Sequence, residues 1–183
     1  MFKVLCTGNP NDVGIAMEIK KLFPDATFVS RTSGYDLSTE EGLLKFKDQL
    51  KTHNVLVNNA HVDFGVQERL LMLAREEWKS GHVFNIGSLA EYTRFMKNYY
   101  EVFLEKNRLK ELGLNLTDEN FKVTHVTVGV FKSSVKPNTM NNTDLTPAEI
   151  VSAIKWIMES EFQVPVIGIE KVNDVIRNHF GVR

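Results

Sequence analysis

Cysteine is almost missing from this 183-residue chain, where Cys6 stands alone. One thiol closes no internal disulfide and builds no multi-cysteine zinc site, and it suits a reducing compartment, so the cytoplasm is the expected location. An excess of positive charge is missing as well. Lys and Arg number 22 against 23 Asp and Glu, a formal net charge of -1. Proteins that neutralise phosphates carry a basic surplus, so nucleic acid is not an expected partner. Long apolar runs are absent: Val123 to Val130 is interrupted by Thr124, His125 and Thr127, far short of the roughly 20 residues a bilayer span needs. The opening MFKVLCTGNP is too short for a secretory segment. No membrane partner is expected, and without a secretory route the glycosylation-like tripeptides at Asn115 and Asn141 are chance matches. Linkers, repeats and low-complexity tracts are lacking too, so residues 1–183 are expected to form a single domain.

What is present is 43% hydrophobic and 25% charged residues, the balance of an ordinary globular domain. Phe2 to Thr7 is a short, largely apolar run ending at Gly8, the pattern of a strand buried in a parallel sheet. Val13 to Phe23 has a mostly helical period stopped by Pro24. Strand-like Ala26 to Ser30, helical Leu43 to Leu50, strand-like Asn54 to Asn58, helical Val66 to Trp78 and strand-like His82 to Ile86 follow in turn. Tyr92 to Leu112 reads as a long helix closed by Gly113 as a left-handed cap. Phe121 to Val130 is the next strand, and Ser133 to Thr146 is the longest loop, a candidate lid. Asp144 or Thr146 caps a helix with Pro147 in its first turn, running to about Glu159; a strand at Val164 to Ile169 and a short C-terminal helix complete the chain. Alternation of the two periods predicts an α/β fold, a Rossmann-like doubly wound parallel sheet with helices on both faces.

Between the first strand and first helix lie Thr7, Gly8, Asn9, Asp12, Val13, Gly14 and Ile15. A doubly wound sheet binds a dinucleotide at this place, with glycines permitting a tight turn and free N–H groups at the helix start facing the pyrophosphate. Arg31 falls directly after the second strand, where an acid selects NAD by its ribose hydroxyl and an arginine accepts the 2′-phosphate of NADP. NADP is therefore favoured over NAD.

Thr7, Gly8 and Gly14 match the Thr-Gly-x-x-x-Gly-x-Gly opening of the short-chain dehydrogenase/reductase family, with Asp12 at the middle glycine. Asp36-Leu37-Ser38 resembles that family's adenine-pocket motif, Asn58-Asn59-Ala60 its Asn-Asn-Ala-Gly, and Asn85 to Ser88 the strand that ends in its serine. Val128 to Ser133, containing Gly129, resembles its Pro-Gly-x-x-x-Thr turn near nicotinamide. The resemblance covers nearly the whole chain. It implies cofactor contacts at Thr7, Gly8, Asn9, Asp12, Val13, Gly14, Ile15, Arg31, Asp36, Leu37, Asn58, Asn59, Ala60 and Gly129. The passage from Arg31 to Asp36 is too short for the helix and strand the family inserts there, which implies six strands in the order 2-1-4-5-6-7 of the family's numbering. The Asn of the family's catalytic relay has no counterpart, since Val62 or Asp63 falls near its place.

The resemblance also implies a serine, a tyrosine and a lysine acting on a small carbonyl or alcohol. The lysine charge lowers the tyrosine pKa, the tyrosine moves the proton and the serine holds the oxygen. Ser88 fits the serine and Lys106 the lysine, but Val102 stands where the tyrosine belongs and no Tyr-x-x-x-Lys occurs in the chain. Tyr99, seven residues before Lys106 and about 10 Å away along a helix, is the tyrosine carried as a catalytic candidate, although for Tyr99 and Tyr100 a place in the core or an interface outweighs that role. Lys106 reads alternatively as a solvated helix lysine. His61 is a substitute proton donor or a loop residue. His53, His82, His125 and His179 show no ligand spacing, so no metal is expected. Loss of the tyrosine leaves a second function open, a noncatalytic NAD(P)-binding sensor or interaction protein. The helices at Val66 to Trp78 and Tyr92 to Leu112, with Phe95, Tyr99 and Phe103, are the expected homodimer face.

Overall fold

The computed structural model describes residues 2–92, 100–129 and 145–170. Residues 133–144 of the candidate lid at Ser133 to Thr146, the C-terminal helix and the helical stretch with Phe95 and Tyr99 lie outside these residues. Six strands, β1 (Val4–Thr7), β2 (Thr27–Val29), β3 (Val55–Asn58), β4 (Gly81–Ile86), β5 (Phe121–Val128) and β6 (Val166–Ile169), pair in one all-parallel sheet ordered β2-β1-β3-β4-β5-β6. The order is the expected one with the edge strand missing. A turn of 3-10 helix, Arg31–Ser33, stands after β2 where the shortened passage leaves no room for another strand.

Helices α1 (Ile15–Leu22) and α5 (Pro147–Glu159) cover one face of the sheet, and α2 (Glu40–Leu50), α3 (Val66–Glu77) and α4 (Tyr100–Leu116) cover the other. Alternate strand residues point to opposite faces. Val4, Cys6, Val57, Phe84 and Val126 therefore pack with Ile15, Ile19, Ile150 and Ile154, while Leu5, Leu56, Val83 and Val123 pack with Phe46, Leu70, Leu71 and Leu109. Burial on both sides explains the near-continuous apolar strands. It also pushes the Cys6 thiol far above its usual pKa, leaving it an inert packing group.

Local chemistry sets the helix ends. Thr39 caps α2 by accepting the Gly42 N–H at 3.1 Å. Of the two predicted caps for α5, Thr146 forms a reciprocal box with Glu149 ahead of Pro147. One expectation is corrected: Gly113 is not a left-handed cap, because α4 runs through it to Leu116. A Cβ at Gly113 would lie 2.8 Å from Val123 Cγ1, so the missing side chain lets α4 approach β5. Because β2 and β3 flank β1, the chain reverses winding direction there, and the carboxyl ends of β1 and β3 are where a sheet of this kind leaves a crevice for a ligand.

Candidate functional site

The rim of that crevice is built from hydrogen bonds between loops. Thr7 is fully buried, and its Oγ1 accepts the N–H groups of Asn59 and Ala60, both at 2.8 Å. Asn59 returns a side-chain bond to Thr7 O at 3.1 Å. These three residues latch the ends of β1 and β3 together. Gly8 has φ 128, and a Cβ there would lie 2.9 Å from Asn59 Nδ2, so glycine is needed on both counts. Asn9 shapes the following turn, its carbonyl accepting Asp12 N and its side chain Asn11 N. Asp12 and Val13 are exposed, and Ile15 buries its side chain in the core. Helix α1 starts at Gly14 with no side-chain cap, and a Cβ there would meet nothing within 4 Å. An uncapped helix start presents backbone donors and a partial positive charge to a nearby anion.

At the end of β2, Ser30 Oγ lies 2.8 Å from Thr32 Oγ1 and 3.2 Å from Ser33 Oγ, around the exposed Arg31. The Asp36 carboxylate accepts Ser38 Oγ at 2.6 Å and Ser38 N at 3.1 Å, bonds that hold it below its usual pKa, with the Arg31 charge contributing less. Leu37 is 1% exposed and packs in the core, so its side chain anchors this loop from below.

A row of buried polar side chains lies on the α3–α4 face of the sheet. Asn58, Asn85 and His125 stand in register on β3, β4 and β5. Asn58 Nδ2 donates to Asn85 Oδ1 and to Gln67 O, both at 2.9 Å. Gln67 of α3 donates to Asn58 O at 2.6 Å and Ile86 O at 3.3 Å, and its Oε1 accepts Lys106 Nζ. Lys106 also donates to Ile86 O at 3.3 Å. It is only 5% exposed, which excludes the solvated alternative. Burial pushes its ammonium down to about 8, against the opposing pull of Glu105 and Glu91.

A second buried group fixes the turn at Ser88. Glu91 accepts Ser88 N at 2.8 Å, His125 Nε2 at 2.9 Å and Lys110 Nζ at 3.3 Å, and Thr127 Oγ1 at 3.2 Å. Burial alone would raise this carboxyl; His125, the Ser88 N–H and Lys110 together hold it below the usual range. A Cβ at Gly87 would fall 2.2 Å from Glu91 Oε1 and 2.3 Å from His125 Nε2, so glycine makes room for the pair. Gly129 ends β5 and donates to Ile169 O at 2.9 Å, and a Cβ there would overlap the Glu170 carboxylate.

Thr7, Gly8, Asn59 and Ala60 are thus brought together at the ends of β1 and β3, Gly14 precedes α1, Ser88 follows β4, and Lys106 bonds the carbonyl of Ile86 at the end of β4. Tyr99 falls outside the described residues, Val102 is half-buried, and Tyr100 is exposed and stacked on Phe103. His61 is not a solitary loop residue, since its Nε2 lies 2.6 Å from Glu105 Oε2. Gln67, Glu91, Glu105 and His125 were missed from sequence. A signal for Gln67 existed, for it sits inside the buried stripe of Val66, Leu70, Leu71 and Ala74. Among the described residues no three His, Cys, Asp or Glu side chains are grouped to hold a metal, and no helix is long and apolar enough to cross a membrane.

No family profile and no curated protein matches this sequence. Solved structures do match the fold. One described as a short chain dehydrogenase/reductase family protein aligns with TM-score 0.73 at 17% identity, covering 92% of this chain and 95% of that one. A short chain dehydrogenase from Burkholderia cenocepacia J2315 in complex with NADP aligns with TM-score 0.71 at 12% identity over 98% and 92% of the two chains. One from Sphingobium yanoikuyae in complex with NADPH aligns with TM-score 0.70 at 17% identity over 91% and 87%. The chain therefore has the Rossmann-like fold of the short-chain dehydrogenases and reductases, shortened by one edge strand.

Proposed function

We propose that this chain binds NADP(H) along the carboxyl ends of its strands and acts as an oxidoreductase on a small carbonyl or alcohol. The observation that carries this reading is the uncapped start of α1 at the crevice, with open space before Gly14 and close approach at Gly8. That cradle fits a pyrophosphate, whose charge the first-turn N–H groups would meet. Arg31, set among the hydroxyls of Ser30, Thr32 and Ser33, fits a 2′-phosphate. The NADP and NADPH bound to two proteins of the same fold support the choice of cofactor.

Bound NADP(H) would supply hydride transfer at the nicotinamide. In this reading Ser88 orients the substrate oxygen from a turn held by Glu91, and the Lys106 ammonium, anchored by Gln67 and Ile86 O, supplies positive charge below the rim. A noncatalytic NAD(P)-binding role is the second reading, favoured by Val102 at the place of the tyrosine. Both fit a single-domain protein of the cytoplasm, and exposed Phe64 and Met72 near α3 support a homodimer; a monomeric mass at micromolar concentration would remove the dimer.

Calorimetric titration with NADPH and NADH tests the cofactor. Tighter binding of NADPH, with the preference removed by Arg31→Ala, is the expected result, and no heat with either would refute the reading. Carbonyl-dependent NADPH oxidation abolished by Ser88→Ala selects the enzyme, whereas tight binding without turnover selects the sensor.

A further inference from the structure

His61 and Glu105 form a carboxylate–imidazole pair unlike the surface ion pairs of this protein. Lys45–Glu41 and Lys51–Asp48 are exposed at both ends. Glu105 instead has its side chain 2% exposed, with Oε2 at 2.6 Å from His61 Nε2 and Oε1 accepting the Gly65 N–H at 3.1 Å. Both carboxylate oxygens are therefore bonded, one to the backbone and one to the His61 side chain, which remains 48% exposed. A buried carboxylate on one ring nitrogen orients the imidazole and selects its tautomer.

The pair also lies beside the segment that closes β3. His61 directly follows Asn58-Asn59-Ala60, the segment that Thr7 holds at the crevice rim. On α4, Glu105 and Lys106 follow position 102 by three and four residues, so they occupy the turn that neighbours it on the same helix face. Position 102 is the place of the family's tyrosine and here holds Val102, which carries no proton.

We propose that His61 is the catalytic proton donor of this site, with Glu105 as its positioning residue; this rests on the NADP(H) oxidoreductase reading. In carbonyl reduction bound NADPH would supply hydride to the carbonyl carbon, and the carbonyl π electron pair would move onto oxygen. The oxygen takes the proton from His61 Nδ1, leaving a neutral imidazole whose Nε2–H stays on Glu105. Solvent then returns the proton to Nδ1. In alcohol oxidation neutral Nδ1 takes the hydroxyl proton, and bound NADP would accept the hydride.

The test begins with NADPH calorimetry on the wild-type protein, the His61→Ala variant and the His61→Gln variant. It continues with stopped-flow NADPH oxidation across aromatic aldehydes, diketones and cyclic ketones. The expected result is unchanged NADPH affinity in both variants, with kcat lowered about 100-fold and KM little changed. Free imidazole should restore His61→Ala by about tenfold or more and leave His61→Gln unrescued, because the glutamine fills the space. Glu105→Gln should lower kcat about tenfold without affecting cofactor affinity. If His61→Ala does not fold, His61→Gln, which keeps a hydrogen bond to Glu105 but is no acid, carries the test alone. Failure of the wild type to bind NADPH would overturn the cofactor reading and this inference with it. Binding with no turnover, turnover within about threefold of wild type in the His61 variants, or loss of cofactor affinity in step with activity would overturn the proton-donor role alone.

Discussion

The Lys106 ammonium is hydrogen-bonded to the side-chain oxygen of Gln67 across the α3–α4 interface, and its other acceptor is the Ile86 carbonyl, so neither contact carries a full charge. Neutral acceptors offset only part of the lost hydration, and burial pushes the lysine from 10.5 down to about 8. That depression costs the folded state about 3 kcal/mol wherever the lysine is charged. Below about pH 8 both folded and unfolded chains hold the proton and the cost is present in full. Between about 8 and 10.5 the folded chain releases it first, so stability rises with pH. The stability of Lys106→Met relative to wild type should therefore fall by about 3 kcal/mol between neutral pH and pH ~10.5, measured by urea unfolding. A difference flat across that range would mean that the ammonium sits in water.

Gly87 is where the buried Glu91–His125 pair meets the backbone of the Ser88 turn. An added methyl would lie 2.2 Å from one partner and 2.3 Å from the other, so one of them must move. Overpacking costs about 1–3 kcal/mol, and a buried carboxylate separated from its imidazole adds to that. Gly87→Ala should destabilise the protein by about 3 kcal/mol or more in urea unfolding. Full stability in this variant would show that the turn relaxes away from Glu91.

The parts of the fold that were legible were those set by local pattern. Apolar runs such as Val55 to Val57 announce strands buried on both faces, and the few residues from Arg31 to Asp36 exclude an inserted strand by length alone. Gly113 misled because a glycine after a helical run looks the same whether it ends the helix or admits a neighbour; only the arrival of Val123 decides. The buried charges were hidden for the same reason. Lys106, Glu91 and Glu105 look like solvated helix or loop residues until the fold brings them to Gln67, His125 and His61 respectively. Asn58 and Asn85, each closing or nearly closing an apolar strand, were the available trace of the buried polar row.

The Thr7 latch predicts a local effect. Thr7→Val keeps the shape but takes away the acceptor shared by Asn59 N and Ala60 N. Unpaired donors of this kind cost about 1–3 kcal/mol each when water cannot reach them. The expected outcome is a stability loss of about 2 kcal/mol, with the Asn59 and Ala60 amides exchanging hydrogen faster than those of β3. Exchange that accelerates equally throughout the sheet would instead indicate general loosening, with no latch at Thr7.

His82 gives the same pH sign as Lys106, in a lower range. Its ring stacks on Phe84 with centroids 4.0 Å apart and shares a hydrogen bond with Thr124 at 2.9 Å. Burial, with help from the Lys122 charge, pushes it from 6.5 down to about 4. Above about pH 6.5 the ring is neutral in both states and contributes no pH dependence. As pH falls from 6.5 toward 4 the unfolded chain takes up the proton first, so stability declines by up to about 3 kcal/mol. Below about 4 both states are charged and the loss stops growing. Urea unfolding at pH ~7 and pH ~4.5 should show wild type losing about 2–3 kcal/mol more than His82→Gln, since the other acidic groups cancel in the comparison. Equal losses in the two proteins would mean that the ring takes up its proton as readily folded as unfolded.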